Sequence, residues 1–337
     1  MPSRTHWIVA AGLVLALVDA GRALHAQVLT YNSGQPISAG YEGWEQDADG
    51  TKYFVFGYMN KNWEEEMDIP VGPDNGFQPG AADRGQPTHF FPRRNRYVFR
   101  VPVPTQFREQ DELVWTLTTH GRTSKAYASL RPDLQLDALA KASDTGALPG
   151  MASSPELRAN KPPAIAIEGA RSRSVRVGQR LALVATVVDD GMPKATTEEE
   201  TRIRAQRATA ARAVGASGSG PAGGAASAAG ERSALDIWRV PPQQGSVNKN
   251  NGLHLSWFHY RGPGPVHFDP PQIKTWEDLR VGANSPWAPV WFAPPMPADG
   301  RVMATVTFDL PGTYVLRARA DDGPATTDEE VTVTVTP

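Results

Sequence analysis

The sequence predicts an all-β protein of two β-sandwich domains, the second interrupted by a disordered low-complexity insertion. Three observations carry this. Of 337 residues, 31 are Gly and 30 are Pro, so turns are frequent and long helices are not. Short alternating or β-branched runs recur in both halves, ending with the run Val331 to Val335. Between them, Gly215 to Gly230 is almost pure Ala, Gly and Ser, with too little apolar surface to form a core.

The chain opens on a short segment containing Arg4, an apolar run from Ile8 to Val18, and small residues from Gly21 to Ala26. That run is about half of the ~20 residues a membrane span needs. Residues 1–26 are therefore expected to be a cleaved signal peptide, cut after Ala26 or, failing that, Ala23. Export to the periplasm, the cell surface or the medium follows, with no transmembrane segment after cleavage. The absence of cysteine excludes disulfides, thiolate metal sites, a cysteine nucleophile and a lipid anchor on an N-terminal cysteine. A formal net charge of −2 gives no global attraction to nucleic acid or anionic membrane.

The first domain is expected over residues 27–140. Tyr41 to Gln46 and Thr51 to Met59 read as strands joined through Asp47-Ala48-Asp49-Gly50, where Asp-Gly favours a hairpin. From Tyr53 to Met59 both faces are apolar, which predicts a central strand covered on both sides. Tyr97 to Val103 and Leu113 to Thr119 read as further strands. Leu113, Trp115 and Leu117 share one face of the latter. The Pro- and Gly-rich stretch from Pro70 to Pro92 reads as a long loop, and residues 141–162, lacking periodicity, as a linker.

The second domain is expected over residues 163–337, with its disordered insertion at 195–234. Strands are predicted at Ala164 to Ile167, Leu181 to Val187, Leu253 to Trp257, Val302 to Phe308, Tyr314 to Ala320 and Val331 to Val335. The segments VGQRLALVATVVDDGMP, GLHLSWFHYRGPGPVHFDPP and FDLPGTYVLRARADDGPATTDEEVTVTV, in this order, resemble the PKD-type immunoglobulin-like β-sandwich of bacterial surface proteins. The resemblance covers roughly 110 of the last 175 residues. It implies Trp257 as the core tryptophan and Tyr314 as a corner tyrosine whose hydroxyl bonds back to nearby backbone. The insertion and the enlarged segment from Ile273 to Asp299 depart from the family pattern. Residues 27–140 resemble no characterised family.

Few residues are arranged for chemistry. Asp189-Asp190-Gly191 and Asp321-Asp322-Gly323 each end a strand, and such carboxylates suit calcium; simple Asp-Gly turns are the preferred alternative. Asp47 to Thr51 begins like a calcium loop but lacks the distal glutamate, so a hairpin turn is preferred. No other cofactor is expected. Trp276, Trp287 and Trp291 lie in a proline-rich stretch and suit stacking on sugar rings or on a partner's apolar patch; filling the sandwich edge is the alternative. Arg94, Arg96 and Arg100 could hold an anionic glycan. The preferred alternative is a solvated face paired within the domain, for which Glu64, Glu65, Glu66 and Asp68 offer partners. Of the five histidines beyond residue 26, His254 and His259 fall on opposite parities of one strand, and none shows zinc-enzyme spacing. Ser256 shares a face with His254 but lacks an orienting acid. No nucleophile elbow, phosphate loop or dinucleotide fingerprint is present.

These features predict a non-catalytic exported module that binds or assembles with an envelope glycan or protein. Nucleic acid is not expected as a partner. The rivals are a polysaccharide-active enzyme or its accessory subunit, with the acids near Trp63 forming its cleft, and a passive spacer.

Overall fold

The computed structural model describes residues 31–144, 160–194, 252–275 and 294–337, with residues 155, 159, 197 and 199 besides. The expected signal peptide, most of the insertion, and Trp276, Trp287 and Trp291 lie outside the described residues. No helix among the described residues is long and apolar enough to cross a membrane.

The first unit packs two three-stranded antiparallel sheets. One has β1 (Ile37–Gln46), β2 (Lys52–Asn60) and β6 (Arg93–Pro102), with β2 in the middle. The other has β4 (Asn75–Gln78), β7 (Leu113–Thr119) and β8 (Arg122–Ala128), with β7 in the middle. Phe54, Phe56 and Tyr58 of β2 meet Phe77 of β4 and Leu113, Trp115 and Leu117 of β7 in one core. Period two accounts for this, since alternate side chains of each strand reach the same face. The hairpin between β1 and β2 closes at Asp47–Thr51 as expected, with Thr51 N–H bonding the Asp49 carboxylate at 2.9 Å.

β2 is covered on its outer face too, by polar contacts. Gly57 has no room for a side chain, because the Glu42 carboxylate and the Asn95 carbonyl occupy that space. The stretch from Pro70 to Pro92, expected as a long loop, contains β4 and β5 (His89–Phe90); β5 pairs with β3 (Met67–Asp68). Two-residue strands leave too little periodicity to be read. The stretch read as a linker begins in a helix, α1 (Ala138–Asp144), tied to β1 by Lys141 and Glu45 at 2.7 Å.

The second unit is a sandwich of two four-stranded sheets. One runs β13 (Val266–Asp269), β14 (Arg301–Phe308), β11 (Leu181–Val188), β9 (Ala164–Ile167). The other runs β10 (Ser172–Arg176), β16 (Thr326–Thr336), β15 (Gly312–Asp321), β12 (His254–Arg261). β10 pairs with β16 in parallel, and the other pairings are antiparallel. In immunoglobulin lettering these are sheets D-E-B-A and A′-G-F-C, an immunoglobulin-like sandwich. Trp257, on the C strand, is 1% exposed in the core. The Tyr314 hydroxyl, near the start of the F strand, donates to the Leu310 carbonyl at 2.9 Å, as the corner-tyrosine expectation requires. Short strands β10 and β13 were missed in the sequence, the first because Ser172 to Arg176 is polar at every second position and beyond.

Candidate functional site

The two units are joined through β12 and β15. Every residue of β12 from His254 to Tyr260 is buried. Leu255 and Trp257 enter the second core, while Phe258 and Tyr260 enter the first. The Tyr260 hydroxyl donates to the Gly85 carbonyl, and Arg261 pairs with Asp83 at 2.8 Å and donates to the Gln86 carbonyl at 2.7 Å. From β15, Arg317 donates to the Val98 carbonyl at 2.6 Å and lies 3.5 Å over the Tyr260 ring. It also meets Glu330 at 2.5 Å. Arg319 forms a two-bond pair with Asp328, both at 2.7 Å. A planar guanidinium suits such combined stacking and forked pairing.

At the edge of this seam, His89 of β5 and His259 of β12 stack with ring centres 4.3 Å apart and an interplanar angle of 25°. His89 is held at both nitrogens: Nδ1 lies 2.8 Å from Asp68 and Nε2 lies 3.2 Å from Glu66. Burial works against its protonation, but the two carboxylates outweigh that and lift its pKa above the ordinary value. His259 is 4% exposed, and its Nε2 is buried with no hydrogen-bond partner. Burial, aided by the neighbouring His89, holds its pKa down to about 3, so it is neutral at pH 7. One ligand atom each from Asp68, His89 and His259 lie within 4.8 Å of one another. The sequence did not reveal this group because its members come from three strands in two units.

A groove of about 560 Å³ lies on the outer face of the β4–β7–β8 sheet, lined by Gln78, Pro79, Gly80, Val114, Thr116, Lys125 and Tyr127. Cross-strand pairing sets Tyr127 opposite Val114 and Lys125 opposite Thr116. Tyr127 is 52% exposed. None of these lining residues is a carboxylate.

The arginine cluster is paired within the first unit, with partners other than those expected. Arg94 meets Glu42 at 2.6 Å, and Arg100 meets Glu45 at 2.9 Å and Asp47 at 2.7 Å while lying over the Tyr53 ring. Arg96 is half-buried between them. Glu66 and Asp68 serve His89 instead, and Glu65 meets His120 at 3.2 Å. β1 and β6 flank β2 in one sheet, and Gly57 of β2 carries no side chain, so Glu42 of β1 reaches across β2 to Arg94. Ser256 and His254 make no nucleophile pair: the Ser256 hydroxyl is buried without a hydrogen-bond partner, and the His254 Nδ1 lies 2.9 Å from the Gly252 carbonyl.

The four aspartates each cap a turn. Asp189 accepts from Gly191 N–H, Asp190 from Met192 N–H, Asp321 from Gly323 N–H and Asp322 from Ala325 N–H, at 2.7–2.9 Å. Asn160 donates to Asp322 at 3.0 Å, and burial pushes the Asp322 carboxyl up to about 6. Asp189 Oδ1 and Asn160 Oδ1 are buried without a hydrogen-bond partner.

No family model matches the chain, and no curated protein matches it. Among solved structures it is similar to domains 4 and 5 of the S-layer protein SbsC, at 8% identity and a TM-score of 0.20. That alignment covers 67% of this chain and 66% of the other, just under two thirds of its length. The D00-D0 domain of intimin aligns at 9% identity over 88% of this chain and 99% of the other, with a TM-score of 0.22. The Yersinia pseudotuberculosis adhesin InvE aligns at 10% identity over 89% of this chain and 59% of that one, with a TM-score of 0.21. Likenesses at this level carry no argument about activity, and the fold assignment rests on the strand order.

Proposed function

We propose that this protein is an exported, non-catalytic binding module whose first unit recognises an envelope glycan. The observation that supports this best is the groove on β4–β7–β8. It offers an exposed tyrosine ring beside amide, hydroxyl and ammonium donors, without an acid. A sugar presents flat C–H faces for the ring and hydroxyls for the donors. The second unit, read as a PKD-type sandwich, is the mount. Its C and F strands fix the first unit through Tyr260, Arg261 and Arg317, which leaves the groove sheet free to face a ligand.

The test is a glycan array probed with tagged protein from residue 27 onward. Binding that falls tenfold or more in Tyr127→Ala, with circular dichroism unchanged, is the expected result. Binding indifferent to Tyr127→Ala overturns the groove assignment, and turnover of a bound glycan overturns the non-catalytic one. A defined protein partner in place of a glycan would make the groove an assembly surface.

Calcium at the Asp-Gly end is a second reading, favoured by the unpartnered oxygens of Asp189 and Asn160 beside Asp322. Oxygen donors of this kind suit a hard cation. It requires a melting temperature that rises with calcium and stops doing so in Asp189→Asn.

A further inference from the structure

We propose that Asp68, His89 and His259 form a site for a zinc-class divalent metal ion that clasps the two units together. Two imidazoles and one carboxylate are the donor set that such ions take, with a fourth position left for water. The three ligand atoms already lie within 4.8 Å of one another. A tetrahedral ion with bonds of about 2.0–2.1 Å holds its ligand atoms about 3.3 Å apart, so the 2.8 Å Asp68–His89 pair must open slightly and the wider separations must close. The two rings are stacked at 4.3 Å with 25° between their planes, so their in-plane lone pairs run nearly side by side and one ring must turn for both nitrogens to meet one ion.

The hydrogen bonds around His89 are those of a metal-ligating histidine. Nδ1 faces Asp68 at 2.8 Å, while Nε2 lies 3.2 Å from Glu66. A ligating imidazole characteristically donates its other N–H to a carboxylate, which fixes its ring and tautomer. Glu66 is thus the positioning residue, and the metal takes the place of the Nδ1 proton beside Asp68. His259 supplies a second, independent indication. It is 4% exposed, and its Nε2 is buried without a hydrogen-bond partner. Buried polar atoms in native proteins are nearly always satisfied, so an orphaned nitrogen on an imidazole that stacks against His89 marks a place for a ligand. The consequence is mechanical. Asp68 and His89 belong to the first unit and His259 to the second, so one ion would tie β3 and β5 to β12.

The experiment uses the protein from residue 27 onward, stripped with EDTA, dialysed and titrated with cobalt(II) at pH 7.5. One equivalent should produce a visible absorption band with the intensity of four-coordinate cobalt, and one equivalent of zinc should bleach it. His259→Gln should abolish the band, and Asp68→Asn, on a partly exposed carboxylate, should weaken cobalt affinity at least tenfold with the fold intact by circular dichroism. His267→Gln, at an exposed histidine paired with Asp309, should leave the band unchanged. No band on adding cobalt overturns the proposal, as does a band that survives both His259→Gln and Asp68→Asn.

Discussion

Single side chains do much of the holding here, and Tyr314 shows how little a formula change needs to be to matter. Its ring is fully buried against Phe308, with centres 4.7 Å apart, while its hydroxyl reaches the Leu310 carbonyl. Removing the hydroxyl keeps the packing and orphans a carbonyl at the corner between β14 and β15. Tyr314→Phe should therefore cost about 1 kcal/mol, the usual net worth of one hydrogen bond. Urea unfolding followed by tryptophan fluorescence would measure it. A midpoint unchanged within error would mean that water replaces the bond at no cost. Tyr314 was legible in the sequence because the corner is a local motif. The partner of Arg94 was not, because the pairing of β1 and β6 on either side of β2 decides that Glu42 is within reach.

At the scale of elements, β15 and β16 carry charges in a place where a free sandwich would carry solvated ones. Arg317 and Arg319 project from β15 toward the first unit, and Asp328 and Glu330 of β16 hold them in place. Burial pushes the Asp328 carboxyl up, yet the Arg319 and Arg317 guanidiniums outweigh it and leave its pKa below the ordinary 3.8. A carboxyl with a depressed folded-state pKa contributes stability that is present above its unfolded value. That contribution is lost as pH falls from about 3.8 through the folded value. Urea midpoints should thus decline below about pH 4, and Asp328→Asn should remove this part of the decline. At pH 7 the same substitution should cost about 3 kcal/mol, because it leaves two arginines near the seam short of a partner. An identical acid limb in Asp328→Asn and the parent would show that other carboxylates govern it. The alternation of Arg317-Ala318-Arg319-Ala320 in β15 is a strand signal legible in sequence; that its polar face is an inner one is not, since that depends on the other unit.

Across the whole molecule, legibility followed distance along the chain. Leu113–Thr119 and Ala164–Ile167 lie where the alternation puts them, and the sandwich order of the second unit follows from local segments in sequence. The two-residue strands β3 and β5 hold no period, and β13 is hidden between Pro265 and Pro270. The seam escaped because no spacing rule links His89 to His259, or Val98 to Arg317. It also gives the protein a history as well as a shape. The acceptors at Gly85 and Val98 wait for donors that lie 175 and 219 residues later in the chain. Synthesis therefore finishes the first unit's sequence long before its surface can be closed. Until β12 and β15 arrive, Phe91 and its neighbours face solvent without Phe258 and Tyr260. A chain halted after α1 would carry that apolar patch permanently, so the front half depends on the completion of the back half to stay unaggregated.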